Sequence, residues 1–320
     1  MSKIILQPSG NKGARKHYAD TIENSVSLKR IKPFVSISEF ERLQEIYPSG
    51  ECKIWGVTPG GYNLAKWNKI EVGDVTLFSK EGAIYASAVT TFKLHSQDLA
   101  SELWGHDIKG QTWEYIYFLE ELKNHNIPYV DFNRAVGYSE NNVIQGFNVL
   151  KPEQSVVILR TFDLESDTFS KEITLEAYED ILSKLAGLEK TEEEIMSSRR
   201  LEQIYLKRKL FGKRTRDTCA ACKKDFPVSF LVTAHIKKRS CCSIDERKDL
   251  NVVMPMCKMG CDEIYEKGYI GVSNGIFVDI RRTPNSKHLQ DYIDQILGTK
   301  CEYFNDQTKD YFDWHYQHHS

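Results

Sequence analysis

Four cysteines in two close pairs constrain this chain more than any other feature. Cys219-x-x-Cys222 is followed 35 positions later by Cys257-x-x-x-Cys261. Two thiols on one turn can ligate one ion without straining the backbone, and Zn²⁺ favours four thiolates in a closed tetrahedral site. Four sulfur ligands leave no position for water, so the zinc expected here staples the fold and does not cut. Eight cysteines in 320 residues are too few for a secreted disulfide scaffold and suit a reducing compartment. Cys241 and Cys242 are adjacent and point in different directions; with Cys52 and Cys301 they read as ordinary residues. The chain has no run of 18 apolar residues, and its amino terminus, MSKIILQPSGNKGARKHYAD, lacks the order of a secretory signal. A cytoplasmic protein without a membrane partner is expected.

Between the pairs stands VSFLVTAHIKKRS, a β-rich run ending at His235, then a polar basic loop, then DLNVVMPMC with Asn251. GCDEIYEKGYI follows and sets Asp262 and Glu266 four residues apart, on one face of a short helix that Gly268 ends. A hairpin followed by a helix is expected. Phosphodiester hydrolysis requires a base for water, a hard cation for the developing charge, and a group that orients the base. His235, Asp262 and Asn251 supply those three parts. A lone histidine is far more often a core or loop residue than a base; the company of Asn251 and Asp262 between two knuckles turns the reading of His235 toward catalysis.

From about residue 199 to 272, the stretches RRLEQIYLKRKLFG, CAAC, LVTAHIKKRSCC, NVVMPMC and GCDEIYEKGYI resemble the HNH endonucleases, particularly the branch found in restriction enzymes. The resemblance implies a ββα-metal domain in which His235 is the general base, Asn251 positions its imidazole, and a divalent ion lies between hairpin and helix. Two departures stand out. The family usually carries a second histidine on the helix, and Asp262 occupies that place here. A carboxylate is a harder ligand that suits Mg²⁺ or Mn²⁺, with Glu266 as its neighbour. Ala234 precedes the base where many relatives carry a ligand, so fewer protein groups and more water are expected on the ion. Lys237, Lys238 and Arg239 follow the base and are expected to contact phosphate.

The formal net charge of −2 hides an asymmetry. Residues 161–198 carry 3 Lys/Arg against 11 Asp/Glu, whereas 199–260 carry 16 against 6, and the positive block is where phosphates would be held. The first 30 residues are polar and read as a peripheral arm, with structure beginning near Ile31. From Cys52 to Leu150, the runs CKIWGV, GDVTLF and AIYASAV read as strands, broken by the turns TPGGYN and SKEGA. HSQDLASELWG and the segment before Asn126 read as helical, and together these parts suggest a mixed β-barrel with helices. SVVILRTF reads as a strand. TLEAYEDILSKLAGL then places Leu175, Tyr178, Ile181, Leu182 and Leu185 at helical spacing, and a second helix runs from about Thr191 to Leu210. Helices of this kind are more often solvated connectors than DNA contacts.

The stretch ECKIWGVTPGGYNLAKWNKIEVGDVTLFSKEGAIYASAVTTF, with LWGHDIKGQTWEYIYFLEEL after it, resembles the EVE branch of the PUA superfamily over residues 50–150. That resemblance implies a PUA-like reader that holds a modified base in an aromatic cage. A flipped base needs stacking surfaces and a few hydrogen bonds, and a methyl or hydroxymethyl group needs an apolar wall. Four of the five tryptophans fall here. Any one tryptophan is more often core than cage; Trp55, Trp104 and Trp113 are the first candidates for the pocket, with Trp67, Tyr62 and Asn63 behind them. Asp98 and Asp107 are alternatives for accepting from a cytosine amino group.

The expected protein is α+β: a PUA-like (EVE-like) barrel with an N-terminal arm over residues 1–155, a helical linker over 156–212, and a zinc-stabilised HNH domain with a C-terminal extension over 213–320. Its expected function is that of a modification-dependent restriction endonuclease of the EVE-HNH kind, acting on double-stranded DNA that contains 5-methylcytosine or 5-hydroxymethylcytosine. One HNH domain cuts one strand, so duplex cleavage calls for a homodimer. A non-catalytic nucleic-acid-binding protein and an RNA-directed nuclease are the alternatives.

Overall fold

The structure, a computed structural model, describes residues 2–164, 166, 192–280 and 286–319. The chain divides into two units, Met1–Lys171 and Glu172–Ser320. The expected helix over TLEAYEDILSKLAGL lies outside the described residues, as does Thr191.

Unit 1 is organised by a long antiparallel pair, β5 (Ala83–His95) and β6 (Tyr115–Pro128). Their central runs, YASAVTTF and YIYFL, are buried on both faces, as strands covered on two sides require. The segment before Asn126 is therefore strand β6 and not a helix. β4 (Val75–Lys80) joins β5 through Glu81 and Gly82, both with positive φ (52° and 81°). That is the backbone a two-residue hairpin loop needs to match strand twist. β3 (Glu51–Val57) pairs antiparallel with β6 and carries the two-residue β2 (Val26–Ser27) on its outer side.

The first residues are no arm. IILQP forms β1 (Ile4–Pro8), parallel to β4 and antiparallel to β7 (Asn148–Val149). The seven-stranded mixed sheet thus runs β2-β3-β6-β5-β4-β1-β7. β2 and β7 stand at its edges, and no ladder among the described residues closes it into the expected barrel. Alternation sorts side chains onto two faces. Ile5, Trp55, Val57, Phe78 and Tyr117 share one face with Tyr18 of helix α1 (Lys12–Tyr18). Ile4, Leu6, Val75 and Leu77 pack on the other against Ile158 and Leu159.

The helices follow from caps and spacing. α2 (Leu28–Ile31) and α3 (Ile37–Ile46) come before β3, and a Ser36/Glu39 capping box starts α3. α4 (Asn63–Asn68) lies between β3 and β4. Ser96 caps α5 (Gln97–Trp104), the helix expected from HSQDLASELWG. α6 (Tyr129–Val136) follows β6. SVVILRTF, read as a strand from its branched residues, lies in α7 (Pro152–Thr161) up to its last residue, the C-cap Phe162. Pro152 opens that helix and Ser155, Ile158 and Leu159 are buried at helical spacing, so its flanks override its β propensity.

The described part of unit 2 begins with α8 (Glu192–Phe211), in the place expected for the second connector helix. A small hairpin, β8 (Arg216–Thr218) and β9 (Asp225–Pro227), holds the first cysteine pair in its loop. β10 (Leu231–His235) pairs antiparallel with β11 (Val253–Cys257), with His235 opposite Val253. Between them lies α9 (Ile244–Lys248), and after β11 comes α10 (Cys261–Glu266). This is the hairpin-then-helix order expected from the sequence. The hairpin β12 (Ile270–Ser273) and β13 (Ile276–Asp279), α11 (Lys287–Asp294) and α12 (Lys309–His319) complete the unit. Among the described residues, no helix is long and apolar enough to cross a membrane.

Candidate functional site

The four cysteines meet. Their sulfurs all lie within 4.8 Å of one another, with Cys222 and Cys257 at 4.0 Å. Four sulfurs at zinc distance, about 2.3 Å from the metal, would sit about 3.8 Å apart, so the cluster fits a tetrahedral ion with slight contraction. Hydrogen bonding supports thiolates there: the Cys257 amide donates to Cys219 Sγ at 3.3 Å, and the Tyr292 hydroxyl stands 3.1 Å from Cys261 Sγ. Hydrogen bonding with Cys257 and burial push the Cys219 thiol up to about 12, so an ion's charge is what would hold four thiolates together. The cluster could hold zinc, and it could not also bind water for chemistry.

The expected nuclease residues lie in the same unit, with His235 at the other end of the β10–β11 hairpin from Cys257. His235 ends β10, and burial lowers it to about 4, with Arg239 and Arg247 acting in the same direction and Glu202 against them. Its Nε2 is buried without a hydrogen-bond partner. Tyr265 of α10 donates to the carbonyl of Ile236 at 3.1 Å, tying the helix to the residue after His235. Asn251 does not bond the imidazole. Its amide nitrogen and side-chain Nδ2 both donate to Asp249 Oδ1 at 2.9 Å, and Asp249 Oδ2 accepts from Tyr311 of α12. Asp262 and Glu266 share α10. Desolvation, then Glu266, raises Asp262 to about 6. Among the described residues, no third ligand group joins these carboxylates, and the cysteines form the one cluster of three or more.

Of the three cations after the base, two are engaged within the protein. Lys237 reaches both oxygens of Glu246, at 2.6 and 2.9 Å, and Arg239 forks onto the fully buried Glu202. Lys238 is exposed.

In unit 1 a cavity of about 370 Å³ opens on the face that carries Trp55. Trp55, Asn63 and Trp113 line it, joined by Gln7, Asn11, Lys66, Gln145 and Phe147. Trp55 is 2% exposed, and its indole N–H has no partner. Trp113 stands edge-on to His17, with ring centres 4.0 Å apart. The remaining aromatic candidates lie elsewhere. Trp67 and Trp104 are core residues whose indole N–H groups donate to Ile116 O and Thr21 Oγ1, and Tyr62, 83% exposed, stands in solvent beside Asn63. Gly56 explains the packing of two of them: a Cβ there would strike the Trp113 carbonyl and come within 2.6 Å of Trp104. Asp107 is occupied by the amides of Lys109 and Gln111, and neither it nor Asp98 lines the cavity.

No protein-family model and no curated protein matches the chain. Among solved structures it is similar to the "N-terminal domain of Thermococcus Gammatolerans McrB bound to m5C DNA". The identity is 15% over 51% of this chain and 98% of that one, with a TM-score of 0.39.

Gln7 and Asn11 are pocket residues that sequence reasoning missed, because the segment holding them read as an arm. The signal was the run IILQP, in which Ile5 and Gln7 alternate with Ile4 and Leu6.

Proposed function

We propose that this protein reads a modified cytosine extruded from duplex DNA with unit 1 and hydrolyses the DNA backbone with a metal-dependent HNH-type site in unit 2. The observation that carries this reading is the cavity: about 370 Å³, a size suited to a small flat ligand. Its lining includes two indoles, carboxamides for hydrogen bonding and one lysine for phosphate. The cutting half rests on the order of hairpin and helix, and on a partly buried histidine that is neutral at pH 7 and so able to accept a proton from water. Asp262 and Glu266 are the residues that would hold Mg²⁺ or Mn²⁺, which when bound would neutralise charge developing on the phosphate. Cutting both strands calls on a second copy of the chain.

One observation favours a second reading. Asn251 is committed to Asp249, which suits a protein that holds nucleic acid without cutting it. Digestion of one plasmid prepared unmodified, 5-methylcytosine-modified and 5-hydroxymethylcytosine-modified, with Mg²⁺ or Mn²⁺, separates the two. Cleavage confined to modified DNA and lost in His235→Ala is expected. Equal cutting of all three removes the reader. Binding of modified DNA without cutting in any metal leaves the second reading.

A further inference from the structure

The stretch that resembles a nuclease ends near residue 272, and α12 (Lys309–His319) lies beyond it. Three residues of this helix nevertheless reach the surroundings of His235. Tyr311, Trp314 and His315 stand at i, i+3 and i+4, so they share one face. Tyr311 donates to Asp249 Oδ2 at 2.8 Å, and the Trp314 ring centre lies 5.8 Å from Lys237 Nζ. The His315 ring stacks on Tyr265, with centres 3.8 Å apart and planes 9° from parallel, and its Nε2 donates to the Tyr265 carbonyl at 3.0 Å.

These contacts converge on the backbone beside the base. His235 Nε2 has no hydrogen-bond partner, and Asn251 bonds Asp249 and not the imidazole. The place of the ring therefore depends on the main chain that carries it. Ile236, the next residue, is held twice: its N–H donates to the Val252 carbonyl at 2.7 Å, and its own carbonyl accepts from the Tyr265 hydroxyl at 3.1 Å. Helix α12 stands behind both bonds. Val252 belongs to a turn closed by Asp249, whose carbonyl accepts from the Val252 amide at 3.2 Å and whose Oδ1 accepts from Asn251 N and Nδ2 at 2.9 Å. Tyr311 fixes the other oxygen of that carboxylate, and its ring packs with Val252 against Tyr205 and Leu206. Tyr265, in turn, is fixed by His315. A general base works only within hydrogen-bond reach of its water, and a displacement of about 1 Å costs on the order of a hundredfold in rate.

Resting on the nuclease reading above, we infer that α12 is part of the cutting site: Tyr311, through Asp249, and His315, through Tyr265, are positioning residues that hold Ile236, and with it His235, at amide and carbonyl. Both act through other residues, and the chemistry stays with His235 and the metal.

Tyr311→Phe and His315→Phe each keep an aromatic ring and remove one hydrogen bond. Tyr316→Phe, elsewhere on the same helix, is the control. The full chains carry isotope-labelled histidine, and the ring signals of His235 in the nuclear magnetic resonance spectrum are identified by their loss in His235→Ala. Those signals are expected to match in wild type and control and to shift or broaden in both variants, with melting temperatures within about 4 °C of wild type. On 5-methylcytosine-modified plasmid with Mg²⁺, kcat is expected to fall about tenfold in each variant while KM changes less than about twofold. Unchanged His235 signals, or a wild-type kcat, in both variants overturns the inference. Signals that change only together with a large fall in melting temperature overturn it too, because α12 then merely supports the fold. A wild type that cuts no plasmid sinks the nuclease reading instead, and the ring signals still decide whether α12 places His235.

Discussion

At the scale of single residues, burial sets the charge state of His235. The folded protein keeps its imidazole neutral down to about pH 4, whereas an unfolded chain protonates histidine near its ordinary value of about 6.5. Its contribution to stability is therefore complete above about 6.5 and lost as the pH falls toward 4, because the unfolded state takes up a proton that the folded state refuses. Thermal melts of the wild type and His235→Gln should show the wild type losing more of its melting temperature between pH 6.5 and 4.5. Parallel curves would mean that the ring titrates as an exposed histidine does. The same residue scale shows what the sequence could and could not specify. Trp55, Trp104 and Trp113 are alike in sequence context, each with a glycine or a threonine on one side. Which of them reaches the cavity is decided by strand register and by Gly56, whose missing side chain lets Trp104 pack inward.

At the scale of elements, the two cysteine pairs are the joints of unit 2. The loop of the β8–β9 hairpin supplies two cysteines, and the end of β11 and the start of α10 supply the others. The ion would therefore fix the hairpin with His235 against the helix with Asp262. Structural zinc sites contribute about 10 kcal/mol or more, so Cys261→Ser should abolish the cooperative unfolding of this unit. Mass spectrometry of the native chain should find one zinc, and a native mass without metal would remove the staple. These elements were legible because metal ligation imposes spacing on sequence, and short strands between knuckles have few alternatives. Elements of unit 1 were legible where alternation was bounded by turns, as in β3, β4 and β5. They were misread where context outweighs propensity. Pro152 and the packing of Ile158 and Leu159 make a helix of a β-branched run, while burial on both faces makes a strand of YIYFLEELKNHNIP. The order of strands in the sheet, which brings Gln7 to the pocket, depends on pairing between residues 70 or more positions apart, and local sequence carries no record of it.

At the scale of the whole molecule, the two units are separate bodies of contact, each with its own core and its own candidate chemistry. Calorimetry should resolve two transitions, only one of them sensitive to a strong chelator. Deleting residues 2–9 removes β1 from between β4 and β7 and should abolish the chelator-insensitive transition while leaving the other. A deletion that spared both transitions would show that β1 is dispensable. The position of β1 also bears on how the protein is made. It leaves the ribosome before both strands that flank it, which arrive only with Val75 and Val149. At ordinary elongation speeds the interval to the later partner is roughly 10–30 s. For that time a short apolar segment stands without its sheet partners, so the first unit completes its sheet only after Val149 has been translated. The yield of native protein then depends on how well the cell shelters β1 while it waits.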